Sequence, residues 1–364
     1  MELSTVISKQ LEDHEWDQFV AATTGGHYSQ TSLWARVKML KRWEPLRIKL
    51  FDGEHLIAGA QILMRPLPVP FLGKIAYLSK GPLFANGREQ EEKIRSFIRQ
   101  IILAAKQHGI TVLFLQPPNN GTYIEKVLPS MGFFYGVQNI TPPGTVLIDL
   151  QQELDVILAK IRPSTRRNIR HSKRDGIQVR IGSSKEDLDT FYHLLSATAE
   201  RQQFEKEDKT LFEQVWKLFA PHQWVQFAFS EYQGEAVSTV FAFAFGDTVT
   251  SWRGGWSGKY RNYHPNDAVY WGLIEWAKQN GYRYMDMGGI QIGAAQALLS
   301  GKELPDYSKD TFTSFKTGFG GEVVIFPQTY GFVHCHFLAK ILQVIVPKVA
   351  DSKLFDQLVN ILSR

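Results

Sequence analysis

The run Phe312-Thr313-Ser314-Phe315-Lys316-Thr317-Gly318-Phe319-Gly320-Gly321 sets one lysine among aromatic residues and glycines. An ammonium that is desolvated and held in position can neutralise a phosphate or a developing oxyanion. The same run suits a lysine whose stem lies along an aromatic cluster while its charge stays in water. Asp286 follows an apolar segment, at the C-terminal end of an expected strand, where α/β folds commonly place reactive side chains. It can act there as a base or cap the Gly288-Gly289 turn. No Cys-His or Ser-His pair occurs at a readable spacing, so a covalent enzyme intermediate is not expected.

A second candidate is electrostatic. Over 160–174 there are seven basic residues (Lys160, Arg162, Arg166, Arg167, Arg170, Lys173, Arg174) and no acid. Removing these seven from a net charge of +5 leaves −2 for the remaining chain, so the basicity is local. Pro163 suits a first helical turn and Gly176 a C-terminal stop, which predicts a helix between them. Arg162, Arg166, Arg170 and Arg174, four apart, then form one stripe. Like charges at that spacing cost a few tenths of a kcal/mol, on the order of 0.2–0.5 per pair. A phosphate-bearing partner offsets that cost through bidentate pairing. A solvated face, with Ile161 and Ile169 turned inward, fits the same pattern.

The elements that must carry these residues can be read from periodicity. With 364 residues, 44% hydrophobic and 21% charged, the chain is long enough for two lobes and ordinary in composition. Ala105-Lys106-Gln107-His108-Gly109 precedes an apolar run at 112–115, and Ala277-Lys278-Gln279-Asn280-Gly281 precedes another at 282–287. Both read as a helix, over 90–108 and 268–280, stopped by glycine and followed by a buried strand. Asp52-Gly53-Glu54 and Gln233-Gly234-Glu235 read as hairpin turns leading into strands at 56–64 and 236–245. Met131-Gly132-Phe133 and Thr317-Gly318-Phe319 close the two modules with a Gly-Phe strand. Hairpin, helix, buried strand and Gly-Phe strand, four elements matched in register, point to a duplicated α/β module with mixed sheets. We expect a first domain over 1–144, ending in the turn-rich Thr141-Pro142-Pro143-Gly144, a second over 145–335, and an amphipathic helical region over 336–364.

The order of elements is similar to that of the GNAT acyltransferase fold, yet its usual donor site is missing. A CoA-dependent member cradles the pyrophosphate on a glycine-rich loop at a helix N-terminus. Here Tyr260-Arg261-Asn262-Tyr263-His264-Pro265-Asn266-Asp267 holds that place, without glycine, and the corresponding stretch at 84–90 has only Gly87. CoA is therefore not the expected donor, and the residues call for no other cofactor. His334-Cys335-His336 lacks a second ligand pair at metal spacing, so no metal site is expected. The single cysteine, the lack of a basic-then-apolar leader and apolar runs too short to span a bilayer predict a cytoplasmic protein. The segment 337–362 alternates apolar residues with Lys340, Lys348 and Lys353. It suits packing on the second domain or, less directly, peripheral contact with the inner face of an anionic membrane.

Six segments together resemble the FemABX family of aminoacyl-tRNA-dependent peptidoglycan aminoacyltransferases. They are Gln30-Thr31-Ser32-Leu33-Trp34-Ala35-Arg36-Val37-Lys38; Ser79-Lys80-Gly81-Pro82-Leu83; the basic helix through Gly176; Thr198-Ala199-Glu200-Arg201-Gln202-Gln203-Phe204; Met285-Asp286-Met287-Gly288-Gly289-Ile290; and Phe315-Lys316 with Phe319-Gly320. They span roughly 27–332 in the family's order. The resemblance implies two tandem GNAT-like domains, an aminoacyl-tRNA donor and a UDP- or lipid-linked muropeptide acceptor, with no role for DNA. It implies that Lys38 and Arg201 grip the acceptor phosphate, that Lys80 borders the acceptor site, that Tyr260 lines its channel and that Lys316 meets phosphate or transition-state charge. Arg162, Arg166, Arg170 and Arg174 would face tRNA. Ala85 and Asn86 stand where many members carry an Asp, and the 184–218 stretch is too short for the coiled-coil arm of some members, which implies the compact type. Two other functions fit the residues: a GNAT-fold acyltransferase for a polysaccharide or small amine with a non-CoA donor, and a non-catalytic tRNA- or envelope-binding protein.

Overall fold

The computed structural model describes residues 3–67, 73–135, 139–309 and 311–334. Strands β1 (Leu3–Ser8), β2 (Glu44–Asp52), β3 (His55–Pro66), β4 (Lys74–Ser79), β5 (Leu83–Phe84) and β6 (Ile110–Gln116) come first. They pair in the order β1-β2-β3-β4-β6, with β5 alongside β3, and only β4 and β6 run parallel. Next come β7 (Gly144–Asp149), β8 (Gln178–Gly182), β9 (Val225–Tyr232), β10 (Glu235–Phe245), β11 (Thr248–Trp256), β12 (Tyr284–Asp286) and β13 (Glu322–Ile325). These form a second sheet in the order β13-β7-β12-β11-β10-β9-β8, in which only β11 and β12 are parallel.

The duplication is visible strand by strand. Hairpins β2–β3 and β9–β10 turn at Gly53 and Gly234, the glycines marked in the sequence. A parallel neighbour requires a crossover, and one helix supplies it in each unit: Glu91–Gln107 before β6 and Pro265–Gln279 before β12. The first buries Ile94, Phe97, Ile98, Ile101, Ala104 and Ala105, the face its periodicity predicts, with Ile102 partly buried beside them. Each fully buried Ile or Phe contributes about 1.5–3 kcal/mol relative to exposure, so this face fixes the helix on the sheet.

Strand β10 is apolar throughout because both of its faces are covered. Val240, Ala242 and Ala244 pack with Val269, Leu273, Ile274 and Ala277 of the crossover helix. Phe241 and Phe243 point the other way, into an aromatic cluster with Phe191, Phe212, Phe219, Phe227 and Trp252. Trp252 is the extra residue of a bulge, since Phe241 faces Arg253 and Ala242 faces Ser251 across the β10–β11 ladder. Helices Lys185–Gln202 and Lys209–Phe219 supply Phe191 and Phe212, so the 184–218 stretch covers this unit's own sheet.

Two boundaries differ from the sequence expectation. Strand β14 (Tyr330–Val333) pairs antiparallel with β6, so residues 326–334 belong to the first unit and not to the second domain. The second unit is Gly144–Ile325. In the second sheet β7 lies antiparallel beside the parallel pair, and in the first sheet β14 takes that position. The expected Gly132-Phe133 strand does not form; Phe134 makes only an isolated bridge to Gly331. The amphipathic region over 336–364, with its expected membrane or domain contact, and Cys335-His336 lie outside the described residues. Among the described residues no helix is long and apolar enough to cross a membrane, and no group of three or more His, Cys, Asp or Glu is placed to hold a metal.

Candidate active site

In the first unit one glutamine ties two of the expected segments together. The Gln30 amide donates to Ser79 O at 2.6 Å and Gln61 O at 3.1 Å, while its carbonyl oxygen accepts from Gln61 N at 2.8 Å. This fixes the start of the Ser32–Lys38 helix, capped by Thr31, beside the turn at Lys80-Gly81-Pro82. Lys38 ends that helix with its ammonium 5.3 Å from the Trp34 ring centre. Lys80 is buried, in the left-handed region at φ 55°, and its ammonium lies 4.4 Å from the Phe326 ring. Burial, aided by the Lys80 charge, pulls His27 down to about 3, so this imidazole is neutral and its Nδ1 accepts from Ser29 N at 3.2 Å.

In the second unit Lys316 sits on the short helix Phe312–Thr317, and its ammonium donates to Gly289 O at 2.8 Å. Burial pulls it down to about 8; the Asp286 charge opposes that shift and the Arg253 charge adds to it. Gly288 permits the approach, because its φ is +78° and a Cβ there would lie 2.6 Å from Ser251 O and 3.3 Å from Lys316 Nζ. The buried Asp286 holds this turn: Oδ1 accepts from the Thr145 hydroxyl and from Gly288 N, the latter at 2.8 Å. That is the capping geometry open to it from sequence.

Phe315, the chain neighbour of Lys316, lines a cavity of about 800 Å³ together with Phe312, Tyr270, Trp256, Arg201 and Asp267, among others. Arg201 reaches it because the Lys185–Gln202 helix packs against β11 at Gly255, where a Cβ would come within 2.5 Å of Leu195 N. Thr198 Oγ1 accepts from Trp256 N at 2.7 Å. One turn on, Arg201 donates to Trp256 O at 3.0 Å and lays its guanidinium 4.6 Å from that indole. Arg261 and Asn262 also line the cavity, whereas the Tyr260 ring packs 4.9 Å from Tyr232 and 6.1 Å from Tyr263.

Asp267 is a site candidate that the sequence reading missed. It lies in the first turn of Pro265–Gln279, and burial pushes its carboxyl up to about 6. The usable signal was chemical: an acid stands where a diphosphate-binding enzyme needs an uncharged, glycine-rich approach.

The four-apart arginines, from the N-cap Arg162 to Arg174 at the end of the Pro163–Arg174 helix, divide into two pairs. Arg162 donates to Ser314 O at 3.0 Å and Arg166 to Ala159 O at 2.9 Å, so both hold the C-terminal ends of neighbouring helices. Thr165, Ile169 and Ser172 face inward. Arg170 and Arg174 are exposed, as are Arg167 and Lys173 off the stripe; Arg174 also pairs with Asp175 at 2.9 Å.

Two mixed sheets of the same plan, each with one parallel pair and its crossover helix, define a tandem GNAT-like acyltransferase. The acetyltransferase (GNAT) domain model matches residues 159–297, and the FemAB family model matches residues 11–126. The UDP-N-acetylmuramoylpentapeptide-lysine N(6)-alanyltransferase of Weissella viridescens is 25% identical over 289 residues, covering 76% of this chain and 83% of that protein. The lipid II:glycine glycyltransferase of Staphylococcus saprophyticus is 23% identical over 222 residues, which span 58% of this chain and only 52% of that protein. The crystal structure of FemX superposes with a TM-score of 0.79 at 17% identity, over 94% of this chain and all of that one. The L-PGS structure from Bacillus licheniformis gives 0.57 at 13% identity, over 93% and 98%. The chain is thus similar to the FemABX family in sequence over most of its length, and to FemX in fold.

Proposed function

We propose that the protein transfers an amino acid from aminoacyl-tRNA to the stem-peptide amine of a peptidoglycan precursor, in the cytoplasm. The observation that carries this reading is the Lys316 ammonium, desolvated and fixed at Gly289, together with a cavity lined by its neighbour Phe315 in which a helix N-terminus presents a carboxyl instead of a diphosphate loop. An aminoacyl ester is already activated, so the enzyme needs to orient two substrates and stabilise one oxyanion. Orientation supplies up to ~7–11 kcal/mol in favourable cases, and a positioned donor such as Lys316 about 3 kcal/mol more. The acceptor amine attacks the ester carbonyl, the C–N bond forms, and the tRNA 3′-terminal ribose oxygen leaves with the electrons of the C–O bond. The amine proton passes to a base, which this reading leaves to a substrate carboxylate, with Asp286 as the residue that positions the Lys316 turn. On this reading Lys38 and Arg201 bind acceptor phosphate, Lys80 borders the acceptor site, and Tyr260 lines its channel, packed on Tyr232 and Tyr263. The names of the Weissella and staphylococcal relatives support this acceptor class.

The deciding experiment incubates the protein with total aminoacyl-tRNA and UDP-MurNAc-pentapeptide or its lipid-linked form, with and without ribonuclease. A ribonuclease-sensitive mass gain on the muropeptide identifies both reaction and amino acid. A gain that survives ribonuclease points to another donor, and no gain on either acceptor removes the assignment.

The basic helix carries its own prediction. If tRNA phosphates lie along its exposed residues, each lost contact flattens the log–log salt dependence of binding by about 1. Replacing Arg167, Arg170 and Lys173 with alanine should therefore reduce that slope by roughly 3. Arg166→Ala should leave the slope unchanged and lower the melting temperature instead, because its partner is the Ala159 carbonyl. Equal slopes for both variants would place the tRNA elsewhere.

A further inference from the structure

The second unit's cavity carries charges of both signs, and its carboxyl is the less explained. Arg201 and Arg261 line it with Asp267. Among the described residues Asp267 has no salt bridge; its side-chain partner is the neutral Asn168 amide, whose Nδ2 lies 3.4 Å away. Burial is the largest influence on its carboxyl, with only that amide and its own backbone N–H opposing, and no neighbouring cation contributes. Its neighbour Asn266, which also lines the cavity, accepts from Ser238 Oγ at 2.6 Å. A carboxylate desolvated on a cavity wall without a cationic partner is costly, and a ligand ammonium that enters the cavity recovers that cost through a charge-assisted hydrogen bond.

The bland role is that of an acid in a helix's first turn, where the backbone dipole favours negative charge. That role needs no cavity, and it is satisfied by acids on solvated faces. It also disqualifies the spot for a phosphate, which would meet like charge at this helix N-terminus. Tyr270, Phe312 and Phe315 give the same cavity aromatic walls, and Phe315 is the chain neighbour of Lys316. A group held at Asp267 thus shares a cavity with Phe315, the chain neighbour of the proposed oxyanion donor. In an aminoacyl ester the only cation so close to the carbonyl is the α-ammonium.

We propose that Asp267 recognises the free α-ammonium of the aminoacyl donor, so that the cavity selects aminoacyl esters over N-blocked acyl groups. The inference rests on the aminoacyl-tRNA reading above and gives it a specificity residue. The test compares total aminoacyl-tRNA with the same pool N-acetylated, using the full-length protein and its Asp267→Asn and Asp267→Glu variants, with muropeptide mass gain as the readout. The wild type should prefer the free-amine pool by on the order of 10²-fold, as expected when one partner of a buried charged pair is lost. Asp267→Asn, which keeps the shape and first-turn capping, should bring the two pools within about 3-fold of each other by slowing the free-amine reaction. Asp267→Glu should restore part of the preference.

A structural role would lower both rates together and leave their ratio unchanged, so an unchanged ratio in Asp267→Asn overturns the proposal. So does a wild type that uses both pools equally. Binding of 3′-aminoacylamido-adenosine against its N-acetyl form gives the same ratio without turnover, should a variant be slow. Transfer from neither pool by the wild type defeats the aminoacyl-tRNA reading and this inference with it; transfer without preference defeats this inference alone.

Discussion

Lys316→Ala should lower the turnover of muropeptide modification by about 10²–10³-fold, the loss typical of removing one oxyanion donor, with little change in folded content. Its pH behaviour makes the assignment sharper. A lysine drawn from the ordinary 10.5 to about 8 loses its charge across the range just above neutrality. If the ammonium form is the active one, the rate should fall along an alkaline limb centred near 8. Lys316→Arg should abolish that limb at a lower absolute rate, since a guanidinium stays charged throughout. The stability effect has the opposite direction. Between about 8 and 10.5 the unfolded chain holds a proton that the folded chain does not, so this group makes stability rise with pH in that window. Below 8 both states are protonated and the full burial penalty applies. Lys316→Met should remove that slope in urea titrations and stabilise the protein at pH 7. An alkaline limb unchanged in Lys316→Arg would assign it to another group.

Phe241→Ala should destabilise the second unit by about 3–5 kcal/mol, a large share of the ~5–15 kcal/mol that holds a typical fold. The ring is fully buried and meets Phe227 at 4.4 Å, Phe191 at 5.2 Å and Trp252 at 5.3 Å between ring centres. Its removal leaves a void bounded by two helices and the sheet, where little can collapse. The corresponding melting shift is roughly 6–20 °C for a unit of this size, readable by calorimetry as movement of one transition. Phe241→Leu should cost less than half as much. Because the same bulge that places Trp252 on this cluster puts Ser251 opposite Ala242, the alanine variant should also lose activity at temperatures below its melting point. A shift under 1 kcal/mol would mean that the cluster is held by its other members.

Features set by near neighbours in the chain were legible from sequence. The two hairpins, the two glycine-stopped crossover helices and the basic helix follow from turn chemistry and 3.6-residue periodicity, and they lie within a few residues of their expected bounds. Partner choice was not legible. Nothing in Tyr330-Gly331-Phe332-Val333 states that it pairs with β6, because an apolar four-residue strand fits many edges. The arginine stripe shows the same limit: its spacing was correct, but the carbonyls that take up Arg162 and Arg166 belong to helix ends that only the fold brings near. Asp267 was passed over because its distinction is desolvation, a property of the walls around it and not of its own position in the chain.

The route of β14 also sets an order of events at the ribosome. Every strand of the second sheet lies between Gly144 and Ile325, so that unit can close as soon as its own residues have emerged. The first sheet cannot. Its β6 edge, with Leu113 and Leu115 in the hydrophobic core, stays unpaired until Val333 has been synthesised, on the order of 10–40 s after β6 itself at ordinary translation rates. An open strand edge is a template for mispairing, so the nascent chain carries this unpaired edge through nearly the whole of the second unit's synthesis. The half of the protein made first is the half completed last.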